Sequence, residues 1–334
     1  MPKVSIVIPT LNRARVLAQA IDRIESQTIS SDLYEVIVVD NASTDDTQSV
    51  LAQKRRQFRN LKFLLQSKPG AAPTRNAGLR QASGEIVLFI DNDILAEPDL
   101  IERHIEYHGR YSDASIIGNV ITPWNDKTDP ILRYLHHRGI YNPYTITSGP
   151  MDFSYYHTGN VSTPRSMLVE VGGFNEEFFI YGMEDIELGY RLQKAGCRMI
   201  NGEQARAVHQ YFPTYEEFIE RCEQAGYSLG KLIELHPELK SRFVENSKWT
   251  RLLKHFHHLY RLFYYGADSA SRWLAGREGS KGTGPIPRLL ELHYYWSVRY
   301  HFFLGYSQYR HHVRNGSAPG YVVQVGRQRI PDVP

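Results

Sequence analysis

The sequence predicts an α/β protein in which a mostly parallel, doubly wound sheet is flanked by helices and followed by a helical C-terminal extension. Three observations carry that prediction. Short apolar runs alternate with helix-period segments through the first half of the chain, as repeated strand–helix units with right-handed crossovers do. The run Ile86-Val87-Leu88-Phe89-Ile90 is apolar without interruption, the mark of a strand buried on both faces. Two such runs end in acidic residues, at Asp40 and at Asp91-Asn92-Asp93, which should share one edge of the sheet. That carboxyl edge is where open α/β sheets bind ligands.

The elements follow in order. Val4 to Ile8 is the first strand, closed by Pro9-Thr10. Asn12 is placed to cap the next helix, whose apolar positions Val16, Leu17, Ala20, Ile21 and Ile24 keep a helical period. Tyr34 to Val39 is the second strand, and the helix Ser43 to Lys54 follows it. Leu61 to Leu65 is the third strand, followed by a turn at Gly70 and a helix from Pro73 to Gln81. Ile86 to Ile90 is the fourth, with a helix from Pro98 to Tyr111 behind it. Beyond it the sequence predicts a strand at Ser115 to Ile121, an aromatic, proline-containing loop, and renewed order from Phe153 to Ser162. A turn at Gly172-Gly173-Phe174, a helix from Glu184 to Ala195, a strand from Arg198 to His209 and a helix from Tyr215 to Leu235 complete this part. In the last third, helices at Lys248 to Tyr265 and Arg288 to His312 flank the glycine-rich stretch Gly276 to Pro285, which reads as a linker.

With 334 residues the chain can bury one large core or two smaller ones. Its formal charge of +3 is too small to argue for nucleic acid, but the last third is far more basic than the rest. Cys197 and Cys222 have no CxxC spacing, which argues against zinc and fits a reducing compartment. The apolar stretch at the N-terminus is too short for a signal peptide, and no window approaches the ~20 apolar residues that span a bilayer. The expectation is a cytoplasmic protein, with a peripheral position at the inner face of the membrane as the alternative.

The acidic strand ends carry the chemistry. Asp91 and Asp93 are separated by one residue and should project to the same side, a pair that suits a hard divalent cation and, through it, a diphosphate. An ordinary Asp/Asn turn is the plainer reading of that motif alone. No GxGxxG follows the first strand and no GxxxxGK[ST] occurs, so neither a dinucleotide fingerprint nor a P-loop would hold the phosphates.

Taken with Val4 to Arg13, Val38 to Ser43, Arg75-Asn76-Ala77-Gly78, Gly159-Asn160, Val171 to Glu176 and Gly182 to Leu192, this order of motifs resembles a family 2 glycosyltransferase of the GT-A, Rossmann-like fold over roughly residues 1–235. The resemblance implies a catalytic domain at 1–235, with a nucleotide-binding half at 1–115 and an acceptor-binding half at 116–235, and an extension at 236–334. It implies that Pro9, Thr10, Asn12 and Asp40 line the nucleotide pocket and that Arg75 lies near the diphosphate or base. A surface salt bridge is the plain alternative for Arg75, and strand punctuation for Pro9. Asp91, with Asn92 beside it, would hold the ribose or the metal shell, and Asp93 would ligate Mn²⁺ or Mg²⁺. His209 matches a histidine that related enzymes place after the acidic helix as a further metal ligand; the other histidines read as surface or interface residues.

Glu184-Asp185 is the second acidic cluster. Acidic residues favour a helix N-terminus through the macrodipole, which is the plain explanation. The apolar approach Phe178 to Gly182 instead suggests a carboxyl with a raised pKa, suited to a general base. The resemblance gives Asp185 that role, with Glu184 orienting the acceptor or the sugar. It also implies an inverting transfer from a nucleotide-diphosphate sugar, UDP-sugars first, to a saccharide or lipid-linked acceptor. The basic and aromatic C-terminal helices suit either a membrane interface or packing on the catalytic domain or a second subunit. Two rival readings are a nucleotidyltransferase and a non-catalytic sugar-nucleotide-binding or membrane-scaffold protein.

Overall fold

In a computed structural model the chain is described at residues 2–123, 134–135, 150–210, 213–245, 288–315, 324–325 and 328–329. The described residues fall into two compact units, one drawn from Met1–Asn125, Leu135–Phe179 and Glu184–Phe212, the other from Asp126–Tyr134, Ile180–Met183 and Pro213–Pro334.

The first unit is built on a sheet that, among the described residues, has nine strands. Strands β1 (Val4–Thr10), β2 (Tyr34–Asp40), β3 (Leu61–Leu65) and β4 (Ile86–Ile90) pair in parallel in the order β3-β2-β1-β4. Helices α1 (Ala14–Glu25), α2 (Thr47–Gln57), α3 (Ala71–Gln81) and α4 (Leu100–Arg110) connect and follow them, as the alternating pattern requires. The second half of the sheet is mixed. β8 (Asn160–Pro164) runs antiparallel between β4 and β6 (Ala114–Ile121), while β9 (Arg198–His209) pairs in parallel with β6. The short strands β5 (Ile94–Ala96) and β7 (Pro150–Met151) lie antiparallel on β9. Both, like the helix α5 (Arg165–Glu170), are too short to leave a periodic signal in the sequence.

Because strand residues alternate between faces, the sheet has a core on each side. Ile6, Ile8, Val36, Val38, Leu88 and Ile90 pack with Leu17, Ile21 and Ile24 of α1. Val7, Ile37, Val39, Val87 and Phe89 pack with Ala72, Ala77 and Leu79 of α3 and with Leu188 and Leu192 of α6 (Glu184–Lys194). Leaving both faces apolar is what made β4 legible as a two-sided strand. One detail differs from expectation: Asn12 does not cap α1, which starts at Ala14 after Arg13 without a side-chain cap. Its φ of 52° turns the backbone, and its Oδ1 accepts from the Thr44 N–H at 2.7 Å.

In the second unit, α7 (Tyr215–Leu235) opens with a capping box, Thr214 accepting from the Glu217 N–H while the Glu217 carboxylate accepts from the Thr214 N–H. It lies against α8 (Arg288–Asn315) so closely that a Cβ on Gly226 would collide with the Phe302 carbonyl. Glu223 of α7 meets His301 and Gln308 of α8. The second predicted helix of the last third therefore forms and runs a few residues further; the first, Lys248 to Tyr265, and the glycine-rich stretch lie outside the described residues, as does most of the aromatic loop. Among the described residues no helix is long and apolar enough to cross a membrane.

Candidate active site

The carboxyl ends of β1, β2 and β4 meet on one edge of the first unit, since Thr10 pairs with Asp40 and Val7 with Phe89 across the parallel ladder. Asp40 is fully buried there. Its Oδ1 accepts from the Ser43 N–H at 3.0 Å, but its Oδ2 has no hydrogen-bond partner. Asn12 and Ser43 brace this corner, the Asn12 N–H donating to the Ser43 hydroxyl at 2.8 Å. Pro9 and the buried Thr10 close β1, and the Thr10 hydroxyl accepts from the Asn92 amide at 3.0 Å, tying the turn after β4 to the end of β1.

Asp93 owes its place to β5. Ile94 pairs with His209, so the preceding residue extends the ladder and the Asp93 carbonyl accepts from the Gln210 N–H at 2.8 Å. That register brings Asp93 Oδ1 to 3.6 Å from His209 Nε2 although 116 residues separate them in the chain. Among the described residues no group of three or more His, Cys, Asp or Glu side chains converges to cage a metal ion.

Arg75 joins the two acidic clusters. It is buried, not on the surface, and its Nη2 donates to Asp91 Oδ1 at 2.8 Å while its Nη1 donates to Glu184 Oε1 at 3.1 Å. Its guanidinium also lies over the Phe174 ring, 5.8 Å from the centroid. The two carboxylates hold Arg75 firmly in its charged form despite burial. Neighbouring Asn76 fixes the turn from which Phe174 projects, accepting from the Phe174 N–H and donating to its carbonyl.

Glu184 and Asp185 open α6, where their environments differ. Glu184 is buried, and burial together with the Asp185 charge pushes its carboxyl up to about 7 even against Arg75. Its Oε2 has no hydrogen-bond partner. For Asp185 burial also acts upward, but hydrogen bonding and charge from His157, with Arg75, prevail and hold it below the usual range. The raised carboxyl that the apolar approach suggested is thus Glu184 rather than Asp185, because His157 stands beside the latter. Glu187, the third acid of the turn, is paired with Arg191, which also donates to the Val171 and Gly173 carbonyls and so ties the glycine turn to α6.

The histidines other than His209 do not all lie at the surface. His104 and His108 of α4 are buried, and both bond the Ser162 hydroxyl at 2.8 Å, His104 also meeting Asn160 Oδ1 at 2.8 Å. Burial lowers His104 to about 4 and His108 to about 3. The signal was present: both fall on the helical stripe of Leu100 and Ile101. His157 had no such signal.

The sequence matches the family model "Glycosyl transferase family 2" over residues 5–172, and "N-terminal domain of galactosyltransferase" over residues 146–228. It is 30% identical over 225 residues to validoxylamine A glucosyltransferase of Streptomyces hygroscopicus subsp. jinggangensis, covering 60% of this chain and 53% of that protein. The chain spans about half the length of the curated relatives it matches first. Its fold is similar to that of the mannosyltransferase PcManGT of Pyrobaculum calidifontis in complex with GDP-Man and Mn²⁺, with a TM-score of 0.59 at 20% identity, covering 92% of this chain and 86% of that one. It is also similar to residues 1–349 of S. aureus TarS in complex with UDP-GlcNAc, with a TM-score of 0.53 at 15% identity, covering 95% and 93%. With the first match spanning half of its length, the chain belongs to glycosyl transferase family 2.

Proposed function

We propose that the chain is an inverting glycosyltransferase that moves a sugar from a nucleotide-diphosphate donor, UDP-sugars first, to an acceptor hydroxyl. The observation that carries this reading is the Arg75 bridge, which holds a donor-side acid, Asp91, and an acceptor-side acid, Glu184, on one buried cation. In this reading Asp40 receives the base, its buried and unpartnered Oδ2 being suited to accept an N–H from a nucleobase. Pro9, Thr10 and Asn12 shape the same pocket, and Asp91 with Asn92 faces the ribose and phosphate side.

The donor set fits a divalent cation. Asp93 and His209 offer a carboxylate and an imidazole 3.6 Å apart, and Mn²⁺ or Mg²⁺ held by few side chains takes its remaining ligands from phosphates and water. When bound, such an ion supplies positive charge to the departing diphosphate. Asp185 takes the proton of the acceptor hydroxyl as that oxygen bonds to the anomeric carbon from the face opposite the diphosphate. The bond from the anomeric carbon to the phosphate oxygen breaks, and its electron pair leaves with the diphosphate. Glu184 orients the acceptor or the transferred sugar.

The acceptor in this reading is a saccharide or a lipid-linked saccharide. The C-terminal extension, residues 236–334, would present it at the inner membrane face, supported by the basic and aromatic residues of α8. Vesicle flotation of the full chain with anionic against neutral lipid tests that part. The core reading is tested by release of nucleoside diphosphate from a panel of UDP-sugars and GDP-mannose with Mn²⁺, with water as the acceptor. Asp93→Ala should abolish metal-dependent donor binding in calorimetry, whereas Asp185→Asn should bind donor normally and stop release. Normal turnover by Asp185→Asn would remove the base assignment.

A further inference from the structure

His157 is not among the residues that the motifs single out, yet the segment that carries it is fastened along one face of the acidic helix. The Phe153 N–H donates to Gln193 Oε1 at 2.8 Å, near the far end of α6. The Phe153 ring meets Tyr190 edge-on at 5.1 Å between centroids. Tyr156 packs against Gly189, where an added Cβ would stand only 2.6 Å from the Tyr156 Cβ, so glycine allows the segment to lie directly on the helix. The Tyr156 hydroxyl is in turn bonded to Thr163 at 3.0 Å, which anchors the segment to β8. Gly189 is four residues beyond Asp185 and hence on the same helix face. The next residue along the segment, His157, therefore arrives beside Asp185, its Nδ1 3.4 Å from Asp185 Oδ2.

The two oxygens of Asp185 are thus distinguished. Oδ1 accepts from the Ile186 N–H at 2.8 Å, and Oδ2 faces the imidazole. An ionised carboxylate only accepts, so Nδ1 is the donor and the tautomer follows from the partner. Sequence gives no hint of this pair, because 28 residues separate its members.

We propose that His157 is the positioning residue of the acceptor-side base: it aims the Asp185 carboxylate and keeps it ionised, so that the acid is ready for the acceptor proton. This rests on the reading of Asp185 as that base. The charged and titratable groups around the imidazole are Asp185, Glu184 and Asp91, with Arg75 acting on Asp185 from the other side. The acidic neighbours raise His157 above its ordinary value against burial, so a cationic imidazole beside Asp185 is the expected state at mildly acidic pH. Through a positioning residue the effect falls on turnover rather than on donor affinity.

The test compares wild type with His157→Ala, His157→Asn and Asp185→Asn, measuring diphosphate release from the donor panel with Mn²⁺ across pH, together with thermal melting. Asparagine places an amide N–H where the Nδ1–H stood but carries no charge. His157→Ala is expected to lower kcat by about 10- to 100-fold with donor KM within about twofold. His157→Asn is expected to recover most of that loss, while the acidic limb of its kcat profile moves to higher pH than in wild type. The proposal is overturned if His157→Ala has wild-type kcat and pH profile. It is equally overturned if His157→Asn is as impaired as His157→Ala, which would make the imidazole itself the proton acceptor. Absence of release by wild type with every donor, or wild-type release by Asp185→Asn, would instead defeat the reading beneath it.

Discussion

Glu35 enters β2 at the N-terminal edge of the sheet, and its carboxylate accepts from the Ser5 hydroxyl, from the Ser83 N–H and hydroxyl, and from Lys62. Glu184, beyond the opposite edge, is buried to a similar depth but meets Arg75 through one oxygen, while its Oε2 has no hydrogen-bond partner. Burial pushes both carboxyls upward. At Glu35 the hydrogen bonds from Lys62, Ser5 and Ser83 overcome it and bring the group to about 2. At Glu184 burial and the neighbouring Asp185 win, and the group stands at about 7. The same unit thus treats one buried acid as a joint and leaves the other incompletely compensated. Asp40 Oδ2, Arg75 Nε and Glu184 Oε2, on the edge that carries the candidate site, are likewise buried without a hydrogen-bond partner, as is Arg165 Nε at the start of α5. Unsatisfied buried polar groups cost stability, and in the reading proposed above a bound donor would supply the missing partners at the three atoms on that edge.

The largest expected effect comes from removing the shared cation. Arg75→Ala should cost about 3–5 kcal/mol in urea unfolding, because it strands two acids that Arg75 now pairs. Combining Arg75→Met with Glu184→Gln should return much of that stability without restoring turnover; if turnover returned as well, the bridge would be structural only. Next comes Glu35→Ala, expected to lose about 1–3 kcal/mol through the unsatisfied donors left behind. Its kcat and KM should stay at wild-type values, since Glu35 touches nothing at the other edge.

A pH series sharpens the contrast further. Glu35 has a depressed pKa, so its contribution is complete above about 4.5 and is lost as pH falls toward about 2. Glu184 has the opposite sign: the unfolded chain releases its proton near 4.5, the folded chain holds it to about 7, and stability declines as pH rises through that interval. Glu184→Gln should therefore flatten the decline and melt slightly higher than wild type at pH 8, while turnover falls. The smallest effect expected is a fall in stability below about pH 6.5, where an unfolded chain would protonate His104 and His108 and the folded one resists to about 4 and about 3. His108→Asn should reduce that slope in melts between pH 4 and 7.

Much of the first unit was legible because its signals are local. The four parallel strands are apolar runs with turn residues at their ends, and Asp40 and Asp91 could be set on one edge by counting strands. Asp93 and His209 could be named, but what joins them, the pairing of Ile94 with His209, comes from a three-residue strand with no periodic signature. Arg75 was recognisable from its motif, whereas its partner Glu184 stands 109 residues away, and no propensity reports a contact of that range. Asn12 shows the converse failure. A residue that caps helices well locally is used across the loop instead, because Thr44 offers it a backbone N–H and φ is already left-handed.

The short segment Ile180–Met183 belongs with the second unit, where Ser228 donates to the Ile180 and Tyr181 carbonyls, Arg221 lies over the Tyr181 ring and Gly182 rests on Ala225. Its next residue in the chain is Glu184. A protein trimmed after residue 212 would keep Asp40, Asp91, Asp93, Glu184 and Asp185, yet the peptide that leads into the acidic helix would have lost its contacts with Ser228, Arg221 and Ala225. Residues 180–183 and α7 thus pack as one piece, and a variant that exchanges α7 for that of a relative must carry residues 180–183 along with it.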